Sequence, residues 1–246
     1  EGLLVSVADE LPALREKGVW WIEPTAFDPR DKANLTYKFS EFAPYINPKL
    51  VKSGEIPKTW KDLLGPRWSG NMALQNPYIS PVPYEVMVVL LENKVWDEDY
   101  IRALYRQKLV MTASDQDALR LLAAGEIHLT LASSDAFSAT FAQEGAPIQA
   151  ISIEDGVVVG PVGMAALSGG PHPNATRVYL NWLFSAEGQT EVGKALANKM
   201  VRKDVPDFRP KAVQAPATKY FMESLEQMEK ASELFKQKWF DKVVGR

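Results

Sequence analysis

The chain contains no cysteine and only two histidines, His128 and His172. Those absences exclude disulfides, thiolate metal sites and a thiol nucleophile. Neither histidine has a second histidine or a cysteine at metal-ligand spacing, so a packing or surface role suits both. No apolar run approaches the roughly 20 residues that cross a bilayer, and the N-terminus lacks a basic segment followed by an apolar one. Charge of one sign is missing too: the net charge is −3 over 246 residues, with no block of like charges. A nucleic-acid or anionic-membrane surface has no electrostatic footprint here. The glycine-rich phosphate loops, the G-x-S-x-G elbow and the H-E-x-x-H zinc motif are absent, which removes the usual parts of kinase, hydrolase and zinc-protease chemistry and leaves no catalytic constellation and no cofactor motif.

What is present is ordinary globular material, 46% hydrophobic and 24% charged, arranged as alternating strands and helices. The pattern predicts strands over 71–75, 109–111, 127–132, 148–153 and 162–167. Between them it predicts a buried helix over 84–92, whose run Val86-Met-Val-Val-Leu-Leu91 is apolar all round, and a helix opened by Ser114 and Asp117 and closed by Gly125. Two helices follow over 174–184 and 186–197, the second capped by Ser185, then irregular chain with Pro206, Pro210 and Pro216. From Tyr220 a single amphipathic helix is expected, with Phe221, Leu225, Met228, Phe235, Trp239 and Val243 on its packing face. Alternation of this kind argues for α/β layers around a largely parallel sheet.

One strand-to-helix junction raises a functional question. In "LTLASSDAFSATFAQEG", Ser133, Ser134 and Asp135 stand where β structure turns into helix. Structurally, Ser134 caps the helix, Asp135 favours its positive end and Gly145 closes it. Functionally, the carboxyl end of a strand in an open α/β sheet is where small ligands bind.

Three stretches, in order, resemble the periplasmic solute-binding proteins of ABC importers, specifically the ferric-iron branch and its thiamine and phosphonate relatives. They are "IPKTWKDLLGPRWSGN" over 56–71, "ALRLLAAGEI" over 118–127 and "FSAEGQ" over 184–189. The resemblance runs from about Tyr37 onward, and against it the chain begins at Glu1 without the family's first βαβ portion. It implies the two-lobe α/β fold of type II periplasmic binding proteins, with ligand held between lobes and hinge strands joining them. Projected here, lobe one takes 1–38 and 156–205, a hinge crossing lies at 39–47 with the return near 156–164, and lobe two takes 47–155 and 206–246.

The resemblance also implies a function: a periplasmic or, in a Gram-positive, extracellular and membrane-tethered protein, not an enzyme, that captures a small solute and hands it to an ABC permease. It is expected to be a monomer, with no cofactor, no nucleic-acid partner and no insertion into the membrane. Carried over residue by residue, the ferric branch's tyrosine pair falls on Asp135 and Ala136, which puts phenolate iron binding in doubt. The family's asparagines fall on Ser133 and Asp115. Its anion-cradling serine falls on Ser80, in a turn where Pro81 and Pro83 remove two amide donors. Ser133, Ser134 and Asp135 then hold ligand as well as cap, with Tyr78 as an aromatic wall. Trp20 and Trp21 could be cleft or core. Asp115 and Asp135 favour a ligand bearing an amine or hydroxyls over a carboxylate or phosphate. Two alternatives stay open: a ferric, other metal or anion binder of the same family, and a ligand-sensing regulatory domain on the same fold.

Overall fold

The computed structural model describes residues 2–27, 29, 32–214 and 219–245. Pro216, within the expected irregular stretch, lies outside the described residues. Residues 1–40 and 161–209 form one compact unit, and residues 41–160 and 210–246 form a second. The chain passes from one to the other inside two long strands, β2 (Asn34–Ile46) and β7 (Val157–Leu167), and once more after Arg209.

In the first unit, β1 (Leu4–Val5) pairs antiparallel with the end of β7, Leu4 opposite Leu167. Trp20, Leu35, Leu180, Leu183, Phe184 and Val201 form its core, with Trp20 edge-on to Phe184 at 6.4 Å. Trp20 is therefore core, whereas Trp21 is 55% exposed beneath Lys199 and Lys203. Helices α5 (Pro173–Phe184) and α6 (Ala186–Leu196) meet at a single residue. There the Ser185 hydroxyl donates to Trp182 O at 2.7 Å and accepts from Gly188 N at 3.1 Å. Gln189, fully buried, donates to Tyr37 O and Leu183 O and accepts from Val201 N. The "FSAEGQ" stretch is thus a structural lock: a cap, a close approach and a buried amide whose hydrogen bonds are all made.

In the second unit, β3 (Met72–Gln75) lies between β4 (Val110–Thr112) and β5 (Leu129–Ser134), parallel to both. The end of β2 runs antiparallel to β5 and to the short β6 (Gln149–Ala150). The start of β7 is parallel to β8 (Tyr220–Met222). The sheet is mixed, not largely parallel as the alternation suggested. The expected strand over 148–153 shrinks to two residues because its partner position is Pro44, which accepts from Ile151 N but has no N–H to return.

Helix α1 (Val82–Glu92) is the buried helix of the sequence reading, with Val86 to Leu90 all at most 3% exposed. It packs against α7 (Leu225–Lys236), where Tyr84 meets Phe235 edge-on at 5.7 Å. Helix α3 (Asp115–Ala124) has Ser114 as its cap and Gly125 in the left-handed conformation at its end. The expected single C-terminal helix is instead three elements. Residues 220–222 alternate exposed, buried, exposed, which is strand periodicity. A capping box between Ser224 and Gln227 starts α7, and Lys238 at φ 51° separates it from α8 (Trp239–Val244). Helix α2 (Glu98–Arg106), capped by Asp97, had no counterpart in the sequence reading because it buries only Ile101 and Leu104.

"IPKTWKDLLGPRWSGN" also proves architectural. Thr59 and Asp62 cap a short 3-10 turn, and Trp60, 2% exposed, has its backbone N–H on Asp155 Oδ2 and its indole N–H on Gly156 O.

Candidate functional site

Three helices begin where three parallel strands of the second unit end: β3 leads to α1, β4 to α3, and β5 to α4 (Asp135–Gln143). Their N-termini concentrate positive dipole ends and backbone donors at one end of the sheet. All six residues singled out by the sequence, Tyr78, Ser80, Asp115, Ser133, Ser134 and Asp135, lie in these three junctions.

At the β3–α1 junction the donors are spent internally. Asn76 N donates to Thr112 O at 2.9 Å, tying the ends of β3 and β4 together. Asn76 Oδ1 accepts from Tyr78 N, Asn76 O accepts from Ile79 N and Ser80 N, Ser80 Oγ accepts from Val82 N, and Pro81 O accepts from Tyr84 N. Pro81 and Pro83 have no N–H to offer. Every amide from Tyr78 to Tyr84 is therefore occupied or absent, and this turn cannot cradle an anion through its backbone as it stands. Ser80 is 8% exposed, and the Tyr78 ring packs edge-on against Phe240 at 5.6 Å.

The β4–α3 and β5–α4 junctions hold each other. Asp115 Oδ2 accepts from Ser134 N at 2.9 Å. Burial pushes the Asp115 carboxyl up to about 6, against hydrogen bonds from Ser133 and from Ser134 N that favour its charge. The hydroxyls of Ser133 and Thr130 are hydrogen-bonded at 2.9 Å, and Ser134 Oγ caps α4 by accepting from Ala136 N. Asp135 is 1% exposed, and its Oδ1 accepts from the buried Glu41 N at 3.1 Å, anchoring β2 where it leaves this unit. The structure thus joins Asp115, Ser133 and Ser134 in one network, places Asp135 beside it with a bond to β2, and leaves Tyr78 and Ser80 on the neighbouring junction.

This geometry makes Asp135 a strut for β2. Asp135→Ala leaves the Glu41 N–H buried without its acceptor and is expected to cost about 1–3 kcal/mol. Asp135→Asn keeps an oxygen for that N–H and should cost less than half as much. Denaturant midpoints of both variants decide it; equal midpoints for wild type and Asp135→Ala would show that β2 is held by other contacts.

Sequence reasoning did not select three further acids of this unit. Glu41 is 6% exposed, Glu223 is 3% exposed, and Glu85 lies in the first turn of α1. Burial, then the charge of Glu85, pushes the Glu223 carboxyl up to about 8, and burial pushes Glu85 up as well. Glu223 was obscured because its segment read as one face of a helix. Among the described residues no group of three or more acids or histidines is arranged to hold a metal ion.

The family model for bacterial extracellular solute-binding proteins matches residues 2–220. The chain belongs to that family. Its members are binding proteins, and among the described residues no helix is long and apolar enough to cross a membrane. An uncharacterized protein of Haemophilus influenzae is 27% identical over 150 residues, 57% of this chain and 42% of that protein. The chain thus spans about two-fifths of that relative's length. Solved structures show the same fold. Iron-bound HitA from Pseudomonas aeruginosa has a TM-score of 0.73 at 20% identity, covering 96% of this chain and 76% of its own. AfuA from Actinobacillus pleuropneumoniae, with fructose-6-phosphate bound, has a TM-score of 0.67 at 19% identity, covering 98% and 77%. Trichodesmium FutA, in complex with iron and citrate, has a TM-score of 0.70 at 15% identity, covering 98% and 77%.

Proposed function

We propose that this chain is the solute-binding component of an ABC importer, working in the periplasm or tethered outside a Gram-positive cell, and delivering a small solute to a membrane permease as a monomer. The first compact unit corresponds in this reading to lobe one and the second to lobe two. The ligand contacts on the second unit come from Tyr78, Ser80, Asp115, Ser133, Ser134 and Asp135, and the solute carries an amine or several hydroxyls. The observation that carries the ligand class is the junction chemistry. The backbone donors that would receive an anion at the start of α1 are used up internally, while carboxylates, which accept hydrogen bonds and repel anions, stand at the other two helix starts.

A thermal-shift screen over amines, sugars, carboxylates, phosphonates and ferric chelates tests this. A ligand at 100 times its Kd adds about 2.7 kcal/mol to the stability of the state it binds. Amines or polyols are expected to shift the transition, and ferric citrate is expected to give neither a shift nor a visible phenolate-to-iron band. A ferric band, with Tyr78 or Tyr84 as the phenolates, would replace this reading by iron binding. Carboxylates or phosphonates as the only hits would overturn the ligand class.

A further inference from the structure

The second unit carries a groove of about 1050 Å³ along β6, lined by residues 146–152, by 56–58 and by Lys211, Ala212 and Gln214, all of them within that unit. It is separate from the three junctions. Ser134 stands opposite Phe42 on β2, whereas β6 pairs with β2 at Tyr45 and Ile46, toward the other end of that strand.

Strand β6 pairs with β2 and with no other described strand. Ile151 N donates to Pro44 O at 3.1 Å, and this bond sets the phase of the ladder. Tyr45 and Ala150 are then a non-hydrogen-bonded pair, and Ala150 N–H and C=O point away from β2. Among the described residues neither group has a hydrogen-bond partner, although Ala150 is only 7% exposed. Buried backbone groups are nearly always paired, and an open strand edge is a template for another strand. No residue of β2 lines the groove, which therefore borders this open edge. The 3-10 turn Lys211–Val213 does not close it, because Val213 N and Gln214 N donate back to Pro210 O and Lys211 O.

The remaining lining suits an extended chain with acidic side chains. Pro48, Pro57 and Pro147 give apolar walls without N–H groups, so they pack against a chain and do not compete for its carbonyls. Lys58 and Lys211 are exposed, and among the described residues neither forms an ion pair with a carboxylate; Lys211 Nζ donates to Gln214 Oε1 at 3.3 Å. Glu154 is the one acid of the lining, so the two lysines leave it net positive.

We infer that this groove takes an extended, acidic segment of a partner protein, which adds to the sheet beside β6. Ala150 N–H and C=O supply the main-chain bonds, the prolines pack against its apolar side chains, and Lys58 and Lys211 select its acids. This goes beyond the solute-binding reading and does not depend on it.

The test is fluorescence anisotropy of the whole chain with a fluorescein-labelled heptapeptide of sequence TVEVEVT, beside TVKVKVT and a fully N-methylated TVEVEVT that cannot pair as a strand. The acidic peptide is expected to bind at least tenfold tighter than either of the others. Ala150→Pro removes the outward N–H without touching a ladder bond and is expected to weaken the acidic peptide at least tenfold. The double variant Lys58→Glu, Lys211→Glu is expected to reverse the preference between TVEVEVT and TVKVKVT. Far-UV circular dichroism checks the fold of both; should Ala150→Pro fail to fold, the N-methylated peptide and the exposed double variant carry the comparison. No saturable binding of TVEVEVT would overturn the proposal. So would equal binding of its N-methylated form, or a preference that the folded double variant leaves unaltered. None of these variants touches the six junction residues, so the solute screen stands or fails separately.

Discussion

Gly188→Ala is expected to destabilise the first unit by about 3 kcal/mol or more, although helix propensity alone favours alanine over glycine by about 1 kcal/mol. Gly188 is in the first turn of α6, and a Cβ built on it would fall 1.9 Å from Trp182 O, 2.6 Å from Trp182 C and 3.0 Å from Leu183 Cα. All three are backbone atoms of α5, so no rotamer change relieves the overlap. The corner could open only by breaking the paired hydrogen bonds of Ser185 to Trp182 O and from Gly188 N, which would pull Gln189 off Tyr37 O and Val201 N. Chemical denaturation followed through Trp20 and Trp182 measures the effect. A midpoint equal to or above wild type would mean that α5 and α6 separate at little cost.

That residue also illustrates what was legible in the sequence. The helix around it, its Ser185 cap and its approximate ends follow from local rules, because capping and 3.6-residue periodicity are written in neighbouring residues. The close approach of Trp182 is a tertiary fact and shows locally only as a glycine inside a helix. The same division runs through the second unit. Ser114, Gly125 and Ser134 do in the structure what their sequence contexts indicate, since each bond spans one turn. The separation of 220–222 from α7 was hidden because Phe221, buried at 5%, fits a helical stripe and a short strand equally well. At the site, the three junctions were readable from strand ends and caps. The Asp135 bond to Glu41 N, spanning 94 residues, and the Glu85–Glu223 proximity were not, because residues far apart in sequence leave no periodic trace.

The stability of the protein is expected to fall as pH rises from about 5 to 8.5, and Glu223→Gln is expected to remove most of the upper part of that fall. Glu223 is pushed up to about 8, first by burial and then by Glu85, and Asp115 is pushed up to about 6 by burial. A carboxyl whose native pKa lies above its unfolded value binds more protons when folded. Its contribution is complete below the unfolded pKa and disappears as pH rises through the native one. Between those limits each such group contributes a slope of up to about 1.4 kcal/mol per pH unit. The carboxyls held low by partners, such as Glu55 by Lys52 N and Arg67, or Asp204 by Arg202, act in the opposite sense but only as pH falls through the acid range below this window. His128, held low first by burial, opposes the trend as pH drops below its ordinary value, so the clean interval is above pH 6.5. There the acid beside Glu223 is Glu85 on α1, and among the described residues no basic side chain forms an ion pair with Glu223. Denaturant midpoints of wild type and Glu223→Gln at half-unit steps give the two curves. A fall with pH in wild type that flattens in the variant places the titration on Glu223. Parallel flat curves between pH 6.5 and 8.5 would show that Glu223 is ionised in the folded protein, with water reaching Oε1.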